Sequence, residues 1–275
     1  MKWKFRSRYL REFIEEIQFK NRNPRDIKAL ELLDDLSTNP ERLLVSGTEL
    51  FRCRIIDDQS QINKEPGFFG YGAKESFVPP PKNTKDLRAN YRYIPYLYCA
   101  THPYMALVET RPRLGAHVSI ATILTNQPIR LLDFTMNKTS SRMTDAKKNL
   151  FSDLSALFSK PVTSDDDILD YIPTQYIAEY AKNLGYDGIA FESSLMPELS
   201  EEWSRKRWGW DRYNIVVFNY QKCAPVKSNE IKVTRNYIEC CQIDKDIDKV
   251  DRQSTIEEIV NELDGSVHTL VAGVS

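Results

Sequence analysis

Residues 94–113, IPYLYCATHPYMALVETRPR, restrict the fold of this chain more than any other stretch. Residues 96–100 are a short apolar run typical of a buried strand. Thr101 and Pro103 then give a cap-and-proline signal for a helix that reaches Glu109. We therefore predict a strand, a tight turn and a helix in immediate succession, a unit found in many folds that mix α and β structure.

The same unit holds two polar side chains at a fixed separation. Tyr98 lies in the predicted strand and Glu109 in the predicted helix. Taken alone, a glutamate followed by Arg111 and Arg113 is ordinarily a solvated, ion-pairing residue. A catalytic interpretation of Glu109 therefore requires other parts of the chain to converge on it.

The composition narrows the class of protein. Of the 275 residues, 41% are hydrophobic and 28% are charged, which is ordinary for a globular chain with one main domain. The net charge of -1 gives no general attraction to nucleic acid or to an anionic membrane. The N-terminus lacks the apolar core of a signal peptide, and no later run is long enough to span a bilayer. We expect a cytoplasmic protein that binds neither membrane nor nucleic acid.

Cysteine usage and the missing motifs narrow the chemistry. Five cysteines without a CxxC pair or a matching histidine pattern indicate reduced thiols and argue against a zinc site. The sequence has no Walker loop, GxGxxG, HExxH or GxSxG pattern, so classical nucleotide folds and metalloproteases lack support. The tryptophan-rich segment 195–213 also holds acidic residues, which favours a partly packed insertion over a base-stacking surface.

The two termini are expected to flank a central domain at residues 49–238. Residues 1–48 carry an apolar helical stripe over residues 10–17 and helix-start signals at Asn23 and Asn39, each before a proline. We interpret this segment as a helical cap or as a dimerisation arm, the second of which implies a homodimer. Residues 239–275 are predicted to be a polar tail with one short amphipathic helix.

Arginines enter the central domain early. Residues 50–56 have the alternation of a strand, with Arg52 and Arg54 on one face. Arginines on such a face either point to solvent or line an anionic pocket, and the planar guanidinium suits a diphosphate or a carboxylate. The long irregular segment 57–92 brings Arg88 close to the 96–100 strand, and loops of this length usually bind ligands or act as lids.

The rest of the central domain alternates strands and helices. Strands are predicted at residues 118–124, 129–134, 189–191, 214–218 and 231–238, and helices at residues 145–159 and from Pro173 to Gly185. Ser193 and Ser194 follow the 189–191 strand directly. Hydroxyl groups in this position either bind a ligand or cap a simple turn.

Polar residues attached to these elements follow one order along the chain: Arg52, Arg88, Tyr98, Glu109, Gln175 and Ser193. With the pieces FRCRI, RAN, IPYLYCA before ALVE, LLDF, YIPTQ and GYDGIAFESS, this order resembles the RES domain family, named for an arginine, a glutamate and a serine. The resemblance covers about residues 50–219. It implies an α+β fold of the ADP-ribosyltransferase type, with a mixed, strongly bent β core flanked by helices and an N-terminal helical segment added.

The resemblance also implies an activity. RES proteins consume NAD and are often toxins that an Xre-type helix-turn-helix antitoxin neutralises. For this chain the resemblance implies cleavage of the nicotinamide–ribose bond of NAD by water or phosphate. NAD is then a substrate, and the reaction needs no metal and no other cofactor. The implied catalytic residues are Arg52, Glu109 and Ser193, and the implied NAD-binding residues are Arg88, Tyr98, Thr174 and Gln175.

Departures from the family pattern leave one assignment and two functions open. Glu192 stands where a proline commonly precedes the family serine, so Ser193, Ser194 and Thr174 are all candidates for that role. Leu87 stands where the family often has glycine before the arginine. The same pocket also suits an ADP-ribosyltransferase that modifies a protein or nucleic acid, and the chain also fits a catalytically inactive binding module.

Overall fold

An eight-stranded mixed sheet carries the fold, in the order β1-β5-β6-β7-β3-β2-β4-β8. The computed structural model describes residues 5–62, 65–135, 142–160, 168–193, 213–234, 240–241 and 253–254. The strands are β1 (Glu41–Leu44), β2 (Glu49–Ile55), β3 (Leu97–Ala100), β4 (His117–Thr125), β5 (Ile129–Asp133), β6 (Gly188–Phe191), β7 (Asn214–Val217), β8 (Cys223–Lys232), β9 (Cys240–Cys241) and β10 (Gln253–Ser254). The β5–β6 pair is parallel and the other pairs of this sheet are antiparallel.

Helices accompany the sheet at intervals along the chain. They are α1 (Arg8–Phe19), α2 (Lys28–Asp34), α3 (Pro103–Glu109), α4 (Asp145–Ser159) and α5 (Ile172–Asn183). Helices and a mixed sheet in one domain confirm the predicted α+β class. No helix in the described part of the chain combines the length and the apolar character needed to cross a membrane.

The N-terminal helices share a core with later elements. The stripe predicted on α1 is confirmed, because Leu10, Phe13 and Ile17 are buried. They belong to one apolar cluster with residues of α2, α4 and α5 and of the central strands. Ser7 caps α1 by accepting a hydrogen bond from the Leu10 N–H, and the Ser7 N–H donates to the buried Asp153 at 2.6 Å. Residues 5–34 are therefore packed into the same core as the rest of the fold.

The segment after Asn39 is a strand, so the helical turn predicted there is wrong. Burial alternates along β1, with Arg42 and Leu44 buried and Leu43 exposed, and β1 pairs antiparallel with β5. The Arg42 guanidinium also forms an ion pair with the fully buried Asp133 at 3.0 Å. Long-range pairing with β5, which local helix signals do not report, decides the conformation.

The second helix starts later than predicted. We expected it to begin after Asn23, but α2 begins at Lys28. Asp26 has φ of 54°, in the left-handed region that a right-handed helix excludes, so the helix starts only after it.

Two units are distinguished along the chain: residues 1–112 with 116–232, and residues 113–115 with 233–275. The first holds the eight-stranded sheet. In the second, β9 pairs antiparallel with β10. The amphipathic helix predicted for the polar tail and the tryptophan-rich segment from residue 195 to 212 lie outside the described residues. Of the predicted edge strand at 231–238, residues 231–232 are the end of β8, residues 233–234 are not in a strand, and residues 235–238 lie outside the described residues.

The strand register sets up the site. Phe51 of β2 pairs with Ala100 of β3, Ala100 pairs with Asn214 of β7, and Asn214 pairs with Phe191 of β6. This row crosses four adjacent strands, and each of its residues lines the same cavity. Chain segments that leave the sheet next to these four paired residues therefore place their side chains at the same cavity.

Candidate active site

A cavity of about 450 Å³ opens at this row of the sheet. Its volume lies within the range of small-molecule and cofactor pockets, about 300–1,000 Å³. Five of the residues predicted from the sequence line it: Arg52, Arg88, Tyr98, Glu109 and Ser193. The structure thus brings together side chains that lie up to 141 positions apart in the sequence, from Arg52 to Ser193.

Glu109 is the last residue of the short helix α3. The helix starts at Pro103 with the side chain of His102 as its cap, since the His102 ring accepts a hydrogen bond from the Tyr104 N–H at 3.1 Å. The cap predicted at Thr101 is therefore displaced by one residue. A helix C-terminus is negative, which disfavours a carboxylate there. Hydrogen-bond donors from outside the helix must offset that effect.

Two donors meet one oxygen of Glu109. The Ser193 hydroxyl donates to Glu109 Oε1 at 2.6 Å, and the Asn214 side-chain amide donates to the same oxygen at 2.7 Å. Among the described residues, Oε2 has no hydrogen-bond partner. The arrangement holds the carboxylate through one oxygen and leaves the other for a ligand.

Arg52 lies deep in the cavity wall on β2. One Nη of its guanidinium donates to the backbone carbonyl of Tyr98 at 3.2 Å, and its buried Nε has no partner among the described residues. Burial lowers the pKa of Arg52, but an arginine titrates so far above neutrality that it stays cationic. Within the described ranges Arg52 has no carboxylate partner. Arg52 is half-buried, and a partly desolvated cation without a carboxylate partner favours an anionic ligand.

Arg88 reaches the cavity from the loop before β3. Its guanidinium donates to the Leu157 carbonyl at 2.8 Å and lies 5.6 Å from the centre of the Tyr171 ring. These contacts fix the direction of a long side chain that would otherwise be mobile in solvent. Arg88 is therefore a second cation held at the cavity.

Tyr98 holds that loop in place. Its hydroxyl accepts a hydrogen bond from the Ala89 N–H at 3.1 Å and donates to the side-chain carbonyl of Asn90 at 2.8 Å. Burial raises the pKa of Tyr98, so the phenol is neutral. Tyr98 lines the cavity, while its hydroxyl bonds the two residues that directly follow Arg88 in the loop.

Thr174 and Gln175 do not line the cavity. Both are buried in α5; the Thr174 hydroxyl donates to the Tyr171 carbonyl at 3.0 Å, and the Gln175 amide donates to the carbonyls of Leu87 and Asn90, each at 2.9 Å. Direct contact of these two side chains with a ligand stays a prediction, and in the structure both are bonded to backbone carbonyls. Gln175 instead ties both ends of the 87–90 turn, next to Arg88. Ser194 lies outside the described residues.

The sequence analysis did not identify Asn214 as a site residue, and it did not predict the balance of charges around the cavity. The cavity is also lined by Arg111, Lys160, Glu192 and Asn214. Burial, with the nearby charge of Asp133, raises the pKa of Glu192. One feature of the sequence could have pointed to Asn214: it is a polar residue at the start of the otherwise apolar run NIVV. Cations still outnumber carboxylates at the cavity, which favours an anionic ligand.

Cysteine chemistry has no support at this site. Cys53 and Cys99 line the cavity, and burial raises the pKa of each thiol to about 12. The thiolate is the nucleophilic form of cysteine, and at neutral pH both groups are thiols. The charged groups that line the cavity are therefore its carboxylates, its guanidinium groups and the ammonium group of Lys160.

Fold and site together define an α+β protein with a carboxylate and arginines around one ligand-sized cavity. The sequence model of the RES domain family matches residues 64–237, more than half of the chain. The chain therefore belongs to the RES domain family. Arg52 precedes the matched range, so its place in the site rests on its position in the cavity.

A comparison with solved structures finds similarity to a chain from a toxin-antitoxin complex. A chain in the crystal structure of the M. tuberculosis MbcT-MbcA toxin-antitoxin complex aligns over 74% of this chain and 92% of that chain, with 11% identity and a TM-score of 0.39. A search of the curated proteins finds no match.

Proposed function

We propose that this protein cleaves the nicotinamide–ribose bond of NAD, with water or phosphate as the acceptor. The observation that carries the proposal is the pairing of a clamped carboxylate, Glu109, with the carboxylate-free cation Arg52 in one cavity of about 450 Å³. The RES family membership supports the same substrate, since the resemblance to that family implies NAD consumption.

Glu109 supplies the charge that the reaction needs. When the bond breaks, its electron pair leaves with nicotinamide, and positive oxocarbenium character develops on the ribose. A carboxylate aimed at that sugar stabilises the developing charge and accepts hydrogen bonds from the ribose hydroxyls. Oε2 of Glu109 is the oxygen available for this contact. The acceptor oxygen then bonds to the ribose carbon and releases its proton to solvent.

The arginines hold the other half of the substrate. In the proposed complex, the Arg52 guanidinium binds the diphosphate and Arg88 assists from the loop before β3. Planar guanidinium groups bind phosphate oxygens bidentately, which fixes both distance and direction. Fixing the diphosphate sets how far the nicotinamide ribose reaches toward Glu109, so binding and positioning are linked.

Ser193 acts through Glu109 in this proposal. Its hydroxyl donates to Oε1, so the serine orients the carboxylate. Of the two candidates within the described residues, Thr174 instead donates to the Tyr171 carbonyl, which supports Ser193 for this role. Tyr98 contributes a wall of the cavity and supports Arg88 through the loop. We also propose that the Tyr98 ring stacks on the nicotinamide, since Tyr98 lines the cavity.

The biological setting follows from the family. We propose that the protein is a cytoplasmic toxin and that an Xre-type helix-turn-helix antitoxin neutralises it, as the resemblance to RES proteins implies. Loss of viability on expression, and its rescue by a neighbouring gene for a small helix-turn-helix protein, test this part independently of the chemistry.

Nicotinamide release from NAD tests the proposed activity. We expect release by the wild-type protein and a fall of about 100-fold or more for Glu109→Gln, which keeps the shape but removes the charge. Glu49→Gln is the matched control, because Glu49 is exposed on β2. Arg52→Lys should raise KM, whereas Arg54→Lys, on the same strand outside the cavity, should not.

The products identify the acceptor. Free ADP-ribose indicates water, and an ADP-ribose phosphate formed only when phosphate is added indicates phosphorolysis. Mass addition to a protein or nucleic acid would replace the proposal with an ADP-ribosyltransferase. Release at equal rates by wild type and Glu109→Gln would remove Glu109 from the chemistry.

A further inference from the structure

Asn214 is bonded to the carboxylate on which the proposed chemistry depends. Its side-chain amide donates to Glu109 Oε1 at 2.7 Å, the oxygen that also accepts from Ser193. An amide N–H that donates to a carboxylate is a charge-assisted hydrogen bond, stronger than a bond between neutral groups. Asn214 is thus one of the two described side chains that fix the direction of Glu109.

The sheet makes Asn214 a rigid donor. It pairs with Ala100 of β3 on one side and with Phe191 of β6 on the other, and it is buried. Ser193, by contrast, lies two residues beyond the end of β6. Since a donor on a central strand has little freedom to move, Asn214 sets where Oε1 must lie.

The position of Glu109 at a helix end makes this donor important. Glu109 is the C-terminal residue of α3, where the helix dipole opposes a negative charge. The helix dipole therefore favours rotation of the Glu109 carboxylate away from the helix end toward solvent. Donors on Oε1 favour the rotamer that faces the cavity, and they leave Oε2 for the substrate.

We propose that Asn214 is a positioning residue: it holds Glu109 in the rotamer that presents Oε2 to the nicotinamide ribose. The inference rests on the proposed function and adds to it a residue outside the family's arginine, glutamate and serine. Asn214 acts through Glu109 and does not itself contact the reacting atoms. Losing it should therefore lower kcat and leave the affinity for the diphosphate half of NAD unchanged.

The test is steady-state nicotinamide release by Asn214→Ala and Asn214→Asp. Both are expected to lower kcat by about 10- to 100-fold, with KM within about 3-fold of wild type. The Asp variant keeps the shape but replaces the donor with a carboxylate that repels Glu109, so its loss should be the larger. If Asn214→Ala does not fold, Asn214→Ser shortens the same side chain and should give the same fall in kcat.

Asn219→Ala is the matched control. The Asn219 amide donates to the Asp187 carboxylate at 2.6 Å, the same type of bond, outside the cavity. This variant should lose stability and keep kcat. A merely structural role for Asn214 predicts that the two variants behave alike.

A double variant separates positioning from folding. In the Glu109→Gln background, Asn214→Ala should cause less than about 2-fold further loss, because the residue acts through the carboxylate. Full additivity there, or a wild-type kcat for folded Asn214→Ala, would overturn the role of Asn214. A wild-type protein that releases no nicotinamide would instead overturn the proposed function, and the Asn214 role with it.

Discussion

Replacing Tyr98 with phenylalanine tests whether the residue supports a loop or acts on the substrate. The change removes only the hydroxyl, which accepts from the Ala89 N–H at 3.1 Å and donates to the Asn90 side chain at 2.8 Å. Both groups would be left buried without that partner, since Ala89 and Asn90 are 1% and 0% exposed. Leaving two buried polar groups unsatisfied costs about 2–6 kcal/mol in total, at about 1–3 kcal/mol for each group.

That cost gives a measurable shift in stability. For a chain of this size, each kcal/mol moves Tm by about 2–4 °C, so Tyr98→Phe should lower Tm by about 4–24 °C. Because the lost bonds hold the two residues that directly follow Arg88, a looser loop should also raise the KM for NAD by more than it lowers kcat. Thermal unfolding and nicotinamide release on the same preparation measure both effects.

Tyr93→Phe is the control for this prediction. Tyr93 belongs to the same loop, but its side chain is 57% exposed, so removal of its hydroxyl should change neither Tm nor KM. The reasoning would be refuted by a Tyr98→Phe protein whose Tm is within about 1 °C of wild type and whose kcat alone has fallen. That result would place the hydroxyl on the substrate.

Two further predictions concern the loop and the pH dependence of stability. Gln175→Leu removes the donor to the Leu87 and Asn90 carbonyls. The variant should therefore raise the KM for NAD, while the hydrogen bonds of Glu109 stay unchanged. Steady-state kinetics and thermal unfolding measure the effect. Hydrogen bonds from Arg130 lower the pKa of Glu41 in the folded protein. Ionised Glu41 therefore contributes its full stabilisation above the ordinary glutamate pKa of about 4.3. This stabilisation is lost as the pH falls through the lower pKa that Glu41 has in the folded protein. Glu41→Gln should therefore be less stable than wild type at pH 7, with the difference shrinking in denaturant titrations below about pH 4; a difference that grows in acid would contradict this.

Elements with a clear local pattern, and the site residues they carry, could be predicted from the sequence. The 96–100 strand and the helix to Glu109 follow from local apolar pattern and a proline at the helix start, and β3 and α3 confirm both. Because the chain leaves β3 and enters α3 at once, local geometry largely determines where Glu109 lies. Sequence order also predicted which distant residues meet, as the cavity lining of Arg52 and Ser193 shows.

Hydrogen bonds between residues far apart in the chain could not be predicted from the sequence. Gln175 was predicted to bind the ligand, yet its amide satisfies two backbone carbonyls in a loop 85 to 88 positions away. Asn214 was read as the start of a buried strand, because nothing in NIVV reports that α3 places a carboxylate beside it. In both cases the partner is set by tertiary packing, which a local pattern does not contain.

The crystal structure of the Glu109→Gln protein with NAD tests the central claim most directly, since this variant should bind the substrate without cleaving it. The account predicts the diphosphate against the Arg52 guanidinium and the nicotinamide ribose beside residue 109, in the same cavity. NAD bound at another surface, or in this cavity with its diphosphate away from Arg52, would contradict it.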